Sequence, residues 1–304
     1  MQRAKLKDNH TLLSYVILLF LSAVWGSSFI IMKKVNPVFD PIQISSLRLI
    51  FAGAVALPLV YKQFKTFSKR HWTALLLVGI IGNAIPSFLF AVASEEINSA
   101  TSGILNGLAP IFTLILGVFF FSFKGKTMHY IGAAMGLLGC LFVIQGNDAH
   151  GEINNMWYAI FPFVGSLCYG FSSNIIKSRL TDLKPIISGS TPFIFGAILG
   201  LIAMPFSLHH HTPEINTQFY EALGLMVILG VFGSTLSMVL FNRLVQLNSA
   251  LFASTVTFIM PLFAILWGLW DGENIRGLQI LGLVLILSAV YAVRRGDRKK
   301  KVKQ

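Results

Sequence analysis

Arg48 carries the one strongly basic group inside a long apolar run, and a guanidinium in that setting can bind an anion. On membrane-insertion scales an arginine at mid-helix costs about 2.5 to 3.5 kcal/mol, so we expect it to face protein, water or an acidic group rather than lipid. Two interpretations stay open. Arg48 either contacts an anionic group of a small-molecule substrate, or it has a structural role, reaching outward or pairing with Asp40, Glu95 or Glu96.

Small polar residues, glycines, prolines and two aromatic residues interrupt the other apolar runs. A proline removes a backbone donor, and the freed carbonyl with nearby hydroxyl and amide groups offers polar partners at membrane depth. The rings of Trp25 and Tyr169, each followed by a glycine, could line a cavity, whereas the glycines could equally mark helix crossings. The residues predicted to line a substrate cavity are Trp25, Ser28, Arg48, Asn83, Ser87, Asn106, Tyr169, Asn174, Ser234, Ser237, Thr255 and Thr257. The predicted helix breaks or hinges are Gly26, Pro86, Pro110, Gly170 and Pro261.

The sequence lacks the residue patterns that intramembrane proteolysis, metal binding or nucleotide binding would need. All 12 Asp and Glu residues fall between the apolar runs or at their ends, so paired mid-span aspartates are absent, as are an HExxH metal site and a GxxxxGK[ST] loop. His209, His210 and His211 share a loop without the clustered acids or cysteines of a closed metal site. Cys140 and Cys168 are predicted to pack as small apolar residues. We therefore expect no enzyme, no metal and no cofactor.

Ten apolar runs must position these residues. The chain of 304 residues is 55% hydrophobic and only 12% charged, and each run has roughly the 17 to 22 residues that a helix needs to cross a bilayer. A membrane barrel would instead show segments of about ten residues with alternating polarity. The predicted fold class is an all-α polytopic membrane protein with ten transmembrane helices. The runs are residues 13–32, 43–61, 73–93, 100–122, 129–146, 157–176, 186–205, 222–241, 250–270 and 278–293.

The net charge of +12 follows the sidedness of membrane proteins rather than a nucleic-acid partner. With the N-terminus in the cytoplasm, nearly all lysines and arginines fall in cytoplasmic segments, and the outer loops hold only Lys33, Lys34 and Arg276. We therefore predict a multi-pass protein of the plasma (bacterial inner) membrane with both termini cytoplasmic. The basic tail RRGDRKKKVKQ is expected to contact anionic lipid headgroups, so the lipid bilayer is a predicted partner.

The two halves of the chain repeat one pattern. WGSSFIIMKK at 25–34 returns as YGFSSNIIKS at 169–178, and the pair Pro110 and Pro261 extends the match. Residues 1–150 and 151–304 are therefore predicted to be two five-helix repeats. Because five is odd, the second repeat enters the membrane from the opposite side, which gives two inverted halves. Such halves can exchange conformations between inward-open and outward-open packings, as alternating access requires.

The runs LFLSAVWGSSFIIMKKV and DPIQISSLRLIFAGAVALPL, followed by Ala100, Gly103, Gly107 and Pro110, resemble the EamA branch of the drug/metabolite transporter superfamily. The resemblance covers nearly the whole chain in two copies. It implies a ten-helix inner-membrane carrier with a central cavity lined from both halves, in a family with many exporters of amino acids and related metabolites. The family often places a glutamate at the ends of the fourth and ninth helices. Glu273 matches the second position, but the first half reads Phe121-Ser122-Phe123.

The predicted function is secondary transport, in the export direction, of a small metabolite such as an amino acid or related compound by alternating access. The alternatives are a facilitative carrier or exchanger for a nucleotide-like or vitamin-like metabolite, and a membrane receptor or scaffold. The outer gate candidates are Lys33, Glu95 and Glu273. Coupling to a proton or a sodium ion would need an end-of-helix acid such as Glu273 or Glu95, the charge of the substrate, or backbone carbonyls.

Overall fold

The fold is that of a computed structural model, which describes residues 2–122, 126–146, 157–247 and 256–298. Within these ranges the chain forms helices and their connections, without a strand. The α-helices of the first part are α1 (Gln2–Val35), α2 (Pro41–Val60), α3 (Lys69–Gly79), α4 (Ile85–Glu96), α5 (Ser99–Asn106), α6 (Ala109–Phe120) and α7 (Thr127–Gly146). Those of the second part are α8 (Ile160–Arg179), α9 (Pro185–His210), α10 (Thr217–Gly230), α11 (Ser237–Leu247), α12 (Val256–Trp270) and α13 (Gly277–Arg298).

Several helices are long and apolar enough to cross a membrane. Seven helical stretches in the described part of the chain meet both conditions, and three shorter apolar helices accompany them. The long stretches are Leu12–Val35, Pro41–Thr66, Lys69–Glu96, Ser99–Phe120, Trp157–Arg179, Pro185–His210 and Thr217–Leu244, and the shorter ones are Thr127–Val143, Ile259–Trp270 and Gly277–Ala289. Each stretch overlaps one of the ten predicted runs. An all-helical, polytopic membrane protein is therefore confirmed, and the number of spans stays a prediction.

Capping residues explain where several helices begin. Asp40 accepts a hydrogen bond from the backbone N–H of Gln43 (2.8 Å), and Asn98 accepts one from Thr101 (2.8 Å), so α2 and α5 each start behind a side-chain cap. Pro110 lies in the first turn of α6, where a missing N–H costs little, whereas Pro86 lies in the first turn of α4 directly after the helical residues Ile80–Ala84. Pro261 lies inside α12.

Two π-helical segments interrupt long helical stretches. Residues Ile80–Ala84 join α3 to α4, and residues Val231–Leu236 join α10 to α11. A π-helix is rare and appears mostly as a single wide turn inside an α-helix, frequently at functional sites. The first segment contains Asn83 and the second contains Ser234, which are both predicted cavity residues.

Helices cross most closely at glycines. At Gly170 of α8 a Cβ atom would lie 2.7 Å from the backbone nitrogen of Thr113, and at Gly26 of α1 it would lie 2.6 Å from Cβ of Phe263. Thus α8 packs on α6, and α1 packs on α12. The glycine of each π-helical segment is also close to a serine, Gly82 to Ser172 of α8 and Gly233 to Ser28 of α1. The glycines at 26 and 170 therefore lie at helix crossings.

Candidate functional site

The second π-helical segment connects the predicted aromatic residue of α1 to the predicted arginine of α2. The indole N–H of Trp25 donates to the carbonyl oxygen of Gly233 (3.1 Å). The next residue, Ser234, accepts a hydrogen bond from Nε of Arg48 at its Oγ (3.1 Å). Ser28 lies one helical turn after Trp25, and its Oγ is 3.3 Å from where a Cβ of Gly233 would stand. Four predicted cavity residues thus meet around one segment.

Arg48 has no carboxylate partner among the described residues. Of the three acids proposed as structural partners, Asp40 instead caps α2 and accepts from Ser207 of α9, and Glu95 and Glu96 form no ion pair in the described part of the chain. Arg48 is half-buried. Within the described part of the chain its side chain donates one hydrogen bond, to a neutral hydroxyl, so no acidic side chain there balances the guanidinium charge.

An aromatic and apolar cluster adjoins this arginine. Tyr169 of α8 is close enough to interact electrostatically with Arg48, and its ring stacks on Phe90 with the centroids 6.0 Å apart. Trp25 and Tyr169 both pack on the same buried cluster, which includes Phe90, Met226 and Met260. Helices from both parts of the chain therefore contribute aromatic and sulfur-containing side chains to a cluster beside the arginine.

The other predicted cavity residues are distributed around this cluster. Asn106 of α5 donates to the sulfur of Met260 (3.6 Å), and its buried Oδ1 has no hydrogen-bond partner among the described residues. Asn174 instead donates to the carbonyl oxygens of Thr113 (2.8 Å) and Gly170 (3.0 Å), so it braces the crossing of α8 and α6. Asn83 is half-buried in the first π-helical segment, and the buried hydroxyl of Ser87 has no hydrogen-bond partner within the described ranges. Ser237 donates to the carbonyl of Phe232, Thr257 lies in α12, and Thr255 lies outside the described residues.

One end of the helix bundle carries a cluster of ion pairs. We name this end the Glu273 end, after a carboxylate whose side chain is only 3% exposed. Nζ of Lys33 lies 2.8 Å from Oε1 of Glu273 and 2.9 Å from Oδ2 of Asp271, and Lys34 also pairs with Asp271. Burial alone would raise the pKa of Asp271, but hydrogen bonds from Lys34 and Lys33 outweigh it and hold that pKa below its ordinary value. These residues join the end of α1 to the turn after α12.

Glu273 also binds the start of α5. Its carboxylate accepts hydrogen bonds from the backbone N–H groups of Ser99 (2.9 Å) and Ala100 (3.3 Å). Those N–H groups have no partner inside the helix, and the positive end of the helix dipole favours a carboxylate there. Glu95, the third gate candidate, is exposed at the end of α4 and does not join the cluster. Three helices therefore meet at one carboxylate.

Further hydrogen bonds close the Glu273 end. The amide of Asn36 donates to the carbonyl of Ser94 (2.7 Å), and the amide of Gln279 donates to the hydroxyl of Thr101 (2.7 Å).

At a second group of helix ends, Nε2 of His71 lies 2.8 Å from Asp182, and this hydrogen bond lowers the pKa of the Asp182 carboxyl. Because Asp182 is fully exposed, its pair with His71 contributes little to stability.

Comparison with known proteins identifies the group to which the chain belongs. Residues 13–145 and 156–295 each match the sequence pattern of the EamA-like transporter family. The chain belongs to the EamA-like transporter family. It is therefore a membrane transporter of the drug/metabolite transporter superfamily, as the resemblance implied.

Individual EamA-like relatives are distant. The uncharacterized inner membrane transporter YedA of Escherichia coli (strain K12) is 24% identical over 279 residues, which cover 91% of this chain and 89% of YedA. A probable amino-acid metabolite efflux pump of Salmonella typhimurium is 22% identical over 286 residues, 90% of this chain and 92% of its own. One crystal structure shares the fold with a TM-score of 0.61 at 14% identity, and covers 96% of this chain and 98% of that one.

Several residues of this EamA-like chain join the site without having been predicted. Asp271 pairs with both lysines, Gln279 binds the first turn of α5, and Phe90 and Met260 contact the predicted aromatic and amide residues. A signal for Asp271 exists, because it stands two positions before Glu273 in the same short connection. Phe90 and Met260 carry no such signal, since apolar residues are abundant in every run.

Proposed function

We propose that this EamA-like protein moves a small metabolite across the plasma membrane by alternating access of two inverted five-helix halves, residues 1–150 and 151–304. In this proposal the chain crosses the membrane ten times, and both termini are cytoplasmic. The reciprocal packing of the two halves carries the proposal. Each half contributes one helix that crosses the other half at a glycine and then contacts a π-helical segment of that other half.

The reciprocity is visible in residue positions. Gly26 and Gly170 are equivalent in the repeated sequence, and so are their contacts Phe263 and Phe112, which follow the paired prolines at the same spacing. Two halves that pack on each other through equivalent contacts can exchange conformations at little cost in free energy. This supports a carrier with two accessible states rather than a receptor or scaffold, which needs no such duplication.

The cavity of the proposed carrier lies around Arg48, Trp25, Tyr169 and Ser234, where helices of both halves meet. We propose export of an amino acid or a related metabolite. Support comes from the family and from the Salmonella typhimurium relative that is called a probable amino-acid metabolite efflux pump. A facilitative carrier or exchanger for a nucleotide-like or vitamin-like metabolite is the alternative, and the measured substrate separates the two.

We further propose that the Glu273 end faces outward and forms the closed outer gate. Lys33 and Lys34 of the first half pair with Asp271 and Glu273 of the second half, so this end cannot separate without breaking charged contacts between the halves. Lys177 occupies the place equivalent to Lys33, and among the described residues it has no carboxylate partner. The opposite end holds the halves together through the solvent-exposed pair of His71 and Asp182, which contributes less than the pairs of the buried Glu273, so we propose a resting state that is closed to the outside.

A reversible cross-link at the Glu273 end tests alternating access. A Cβ atom at Gly268 of α12 would lie 3.5 Å from Cβ of Ala100 in α5, within the range of about 3.5 to 4.5 Å typical of disulfides. In a background with Cys140 and Cys168 replaced, the double variant Ala100→Cys/Gly268→Cys is oxidised in proteoliposomes. We expect oxidation to stop the flux of amino acids and related metabolites and a reductant to restore it.

The single variants Ala100→Cys and Gly268→Cys are the controls, because the new side chain at 268 displaces the flexible carboxylate of Glu273 even without a disulfide. Imposed proton and sodium gradients in the same vesicles report coupling. Unchanged flux in vesicles whose cross-link is complete would contradict alternating access through this end. Flux of a nucleotide-like or vitamin-like solute, with none of an amino acid, would favour the alternative carrier.

A further inference from the structure

We propose that Arg48 holds the carboxylate of a transported monocarboxylate whose remaining body is flat and apolar. This inference rests on the proposed function, because it places the substrate in the same cavity. It adds the chemical class of the substrate and the residue that selects it. The observations that carry it are the unbalanced charge of Arg48, the hydrogen bond that orients its guanidinium, and the aromatic residues beside it.

The guanidinium of Arg48 keeps N–H donors that form no hydrogen bond among the described residues. Nε is used by Ser234, and no further hydrogen bond or ion pair of the side chain occurs among the described residues. The two terminal nitrogens of Arg48 are not fully enclosed by other atoms, so an anion or water can reach them. An arginine inside an apolar helix requires an anion or water at this place. A carboxylate matches the two parallel N–H donors of the guanidinium edge and can form a bidentate pair.

Ser234 orients the guanidinium of Arg48 so that the edge formed by its terminal nitrogens stays free for a carboxylate. Its position in the π-helical segment brings Oγ to 3.1 Å from Nε, which fixes the plane of the guanidinium and leaves the opposite edge open. The neighbouring Gly233 accepts from Trp25, so the same segment also orients an indole beside the arginine. Ser234 is thus a positioning residue for the anchor, and it need not touch the substrate.

The surroundings of Arg48 define the rest of the ligand. Tyr169, stacked on Phe90, and Trp25 present aromatic surfaces on helices of both halves, and the cluster beneath them contains Met226 and Met260. Flat apolar groups gain from offset or edge contacts with such rings and from sulfur contacts. Lys33 and Lys34 are already paired with acids, whereas Arg48 has no carboxylate partner among the described residues, so one carboxylate of the ligand would balance it.

The test compares acids with the corresponding amides, which lack the carboxylate, in binding to the purified wild-type protein in nanodiscs. The probes are 3-phenylpropanoate and L-phenylalanine as acids, and 3-phenylpropanamide and phenylalaninamide as the matched amides. We expect each acid that binds to do so at least tenfold more tightly than its amide. A difference between the two acids tells whether the ligand also needs an ammonium group. Equal binding of acids and amides, or no binding of either acid up to millimolar concentration, would overturn the proposal.

Variants at two positions separate anchoring from structural roles. Arg48→Lys keeps the charge and loses the planar edge, so we expect at least a tenfold loss of acid binding and unchanged binding of the amide. Ser234→Asp places a permanent carboxylate beside Arg48, so we expect a higher thermal midpoint without ligand and no acid binding, whereas Ser234→Asn, of the same shape, should not raise the midpoint. Full acid binding by Arg48→Lys, or by Ser234→Asp, would refute the role of Arg48.

These outcomes are distinguishable from failure of the proposed function. Binding that depends on the carboxylate and on Arg48, without flux in proteoliposomes, would leave the anchor in place and contradict transport. Flux that is blocked by the cross-link at the Glu273 end but is indifferent to the carboxylate would leave transport in place and contradict the anchor.

Discussion

Replacing Glu273 by glutamine should open the Glu273 end. The carboxylate makes charged contacts with Nζ of Lys33 (2.8 Å) and with the N–H groups of Ser99 (2.9 Å) and Ala100 (3.3 Å). Glutamine keeps the shape and one acceptor oxygen, so one N–H bond survives. The lost contributions are the ion pair, the favourable interaction with the helix dipole and part of the second N–H bond.

The free energy lost in Glu273→Gln can be estimated from the burial of Lys33 and Glu273. Lys33 is 35% exposed, so its ion pair is worth only about 0 to 1 kcal/mol. The helix-dipole interaction adds about 0.3 to 1 kcal/mol. The Glu273 side chain is 3% exposed, and hydrogen bonds to such charged groups contribute about 1.5 to 3 kcal/mol, of which the amide retains part. We expect the closed state to lose about 2 kcal/mol, which raises the open population about 30-fold.

Thiol labelling at Ser102→Cys measures that population. Ser102 lies in the first turn of α5 and is 3% exposed. Its hydroxyl has no hydrogen-bond partner in the part of the chain that the structure describes, so sulfur replaces it without breaking a described hydrogen bond. When closing is fast, the labelling rate is proportional to the open fraction. Glu95→Gln is the matched control, because this exposed carboxylate at the end of α4 does not join the ion-pair cluster. A labelling rate within twofold of the wild type in Glu273→Gln, or an equal increase in Glu95→Gln, would refute the reasoning.

Three further predictions concern stability in detergent. Gly170→Ala should cost about 1 to 3 kcal/mol of unfolding free energy, because its Cβ would lie 2.7 Å from the backbone of α6. The control Gly224→Ala should be neutral or stabilising, because no described atom lies within 4 Å of its Cβ. Equal thermal midpoints of the two variants would contradict the close crossing of α8 and α6. Trp25→Phe should cost about 1 kcal/mol by removing the hydrogen bond from the indole to the Gly233 carbonyl, and an unchanged thermal midpoint would argue against that bond. Asp271→Asn should lower the midpoint above pH 5, where the carboxyl is ionised. The difference should shrink as the pH falls through the lowered pKa of Asp271, because a carboxyl with a lowered pKa loses its stabilising effect there; a difference that persists in strong acid would exclude this cause.

The helices were predictable because a membrane imposes a length on each apolar run, and proline and capping residues determine where several of them begin. Asp40 before Pro41 and Asn98 before Ser99 are local signals of this kind. The π-helical segments were not predicted, since an extra residue in a turn leaves no mark in hydropathy. In retrospect, Gly82 and Gly233 stand at the two positions where a serine of the neighbouring helix comes close.

The candidate site could be predicted from the sequence only in part. Charge and sidedness place Lys33 and Glu273 in one set of candidates, and the structure brings the two side chains together, although their role as a gate stays a prediction. Charge does not tell which face of a helix end a carboxylate occupies, so Glu95 could not be separated from Glu273. The bond between Glu273 and the start of α5 joins residues more than 170 positions apart, and no local pattern reports such a contact.

The uneven strength of the two proposed gates has a kinetic consequence for transport. A passive carrier cannot use an asymmetric structure to accumulate its substrate, because the overall equilibrium across the membrane is fixed by the concentrations alone. The asymmetry instead makes the half-saturating concentration differ between the two faces, since a site that is exposed only in a minor conformation binds with an apparent affinity reduced by that fraction. With Lys33 and Lys34 held by acids and Lys177 unpaired among the described residues, the empty carrier would saturate at lower concentrations from the side of Lys177.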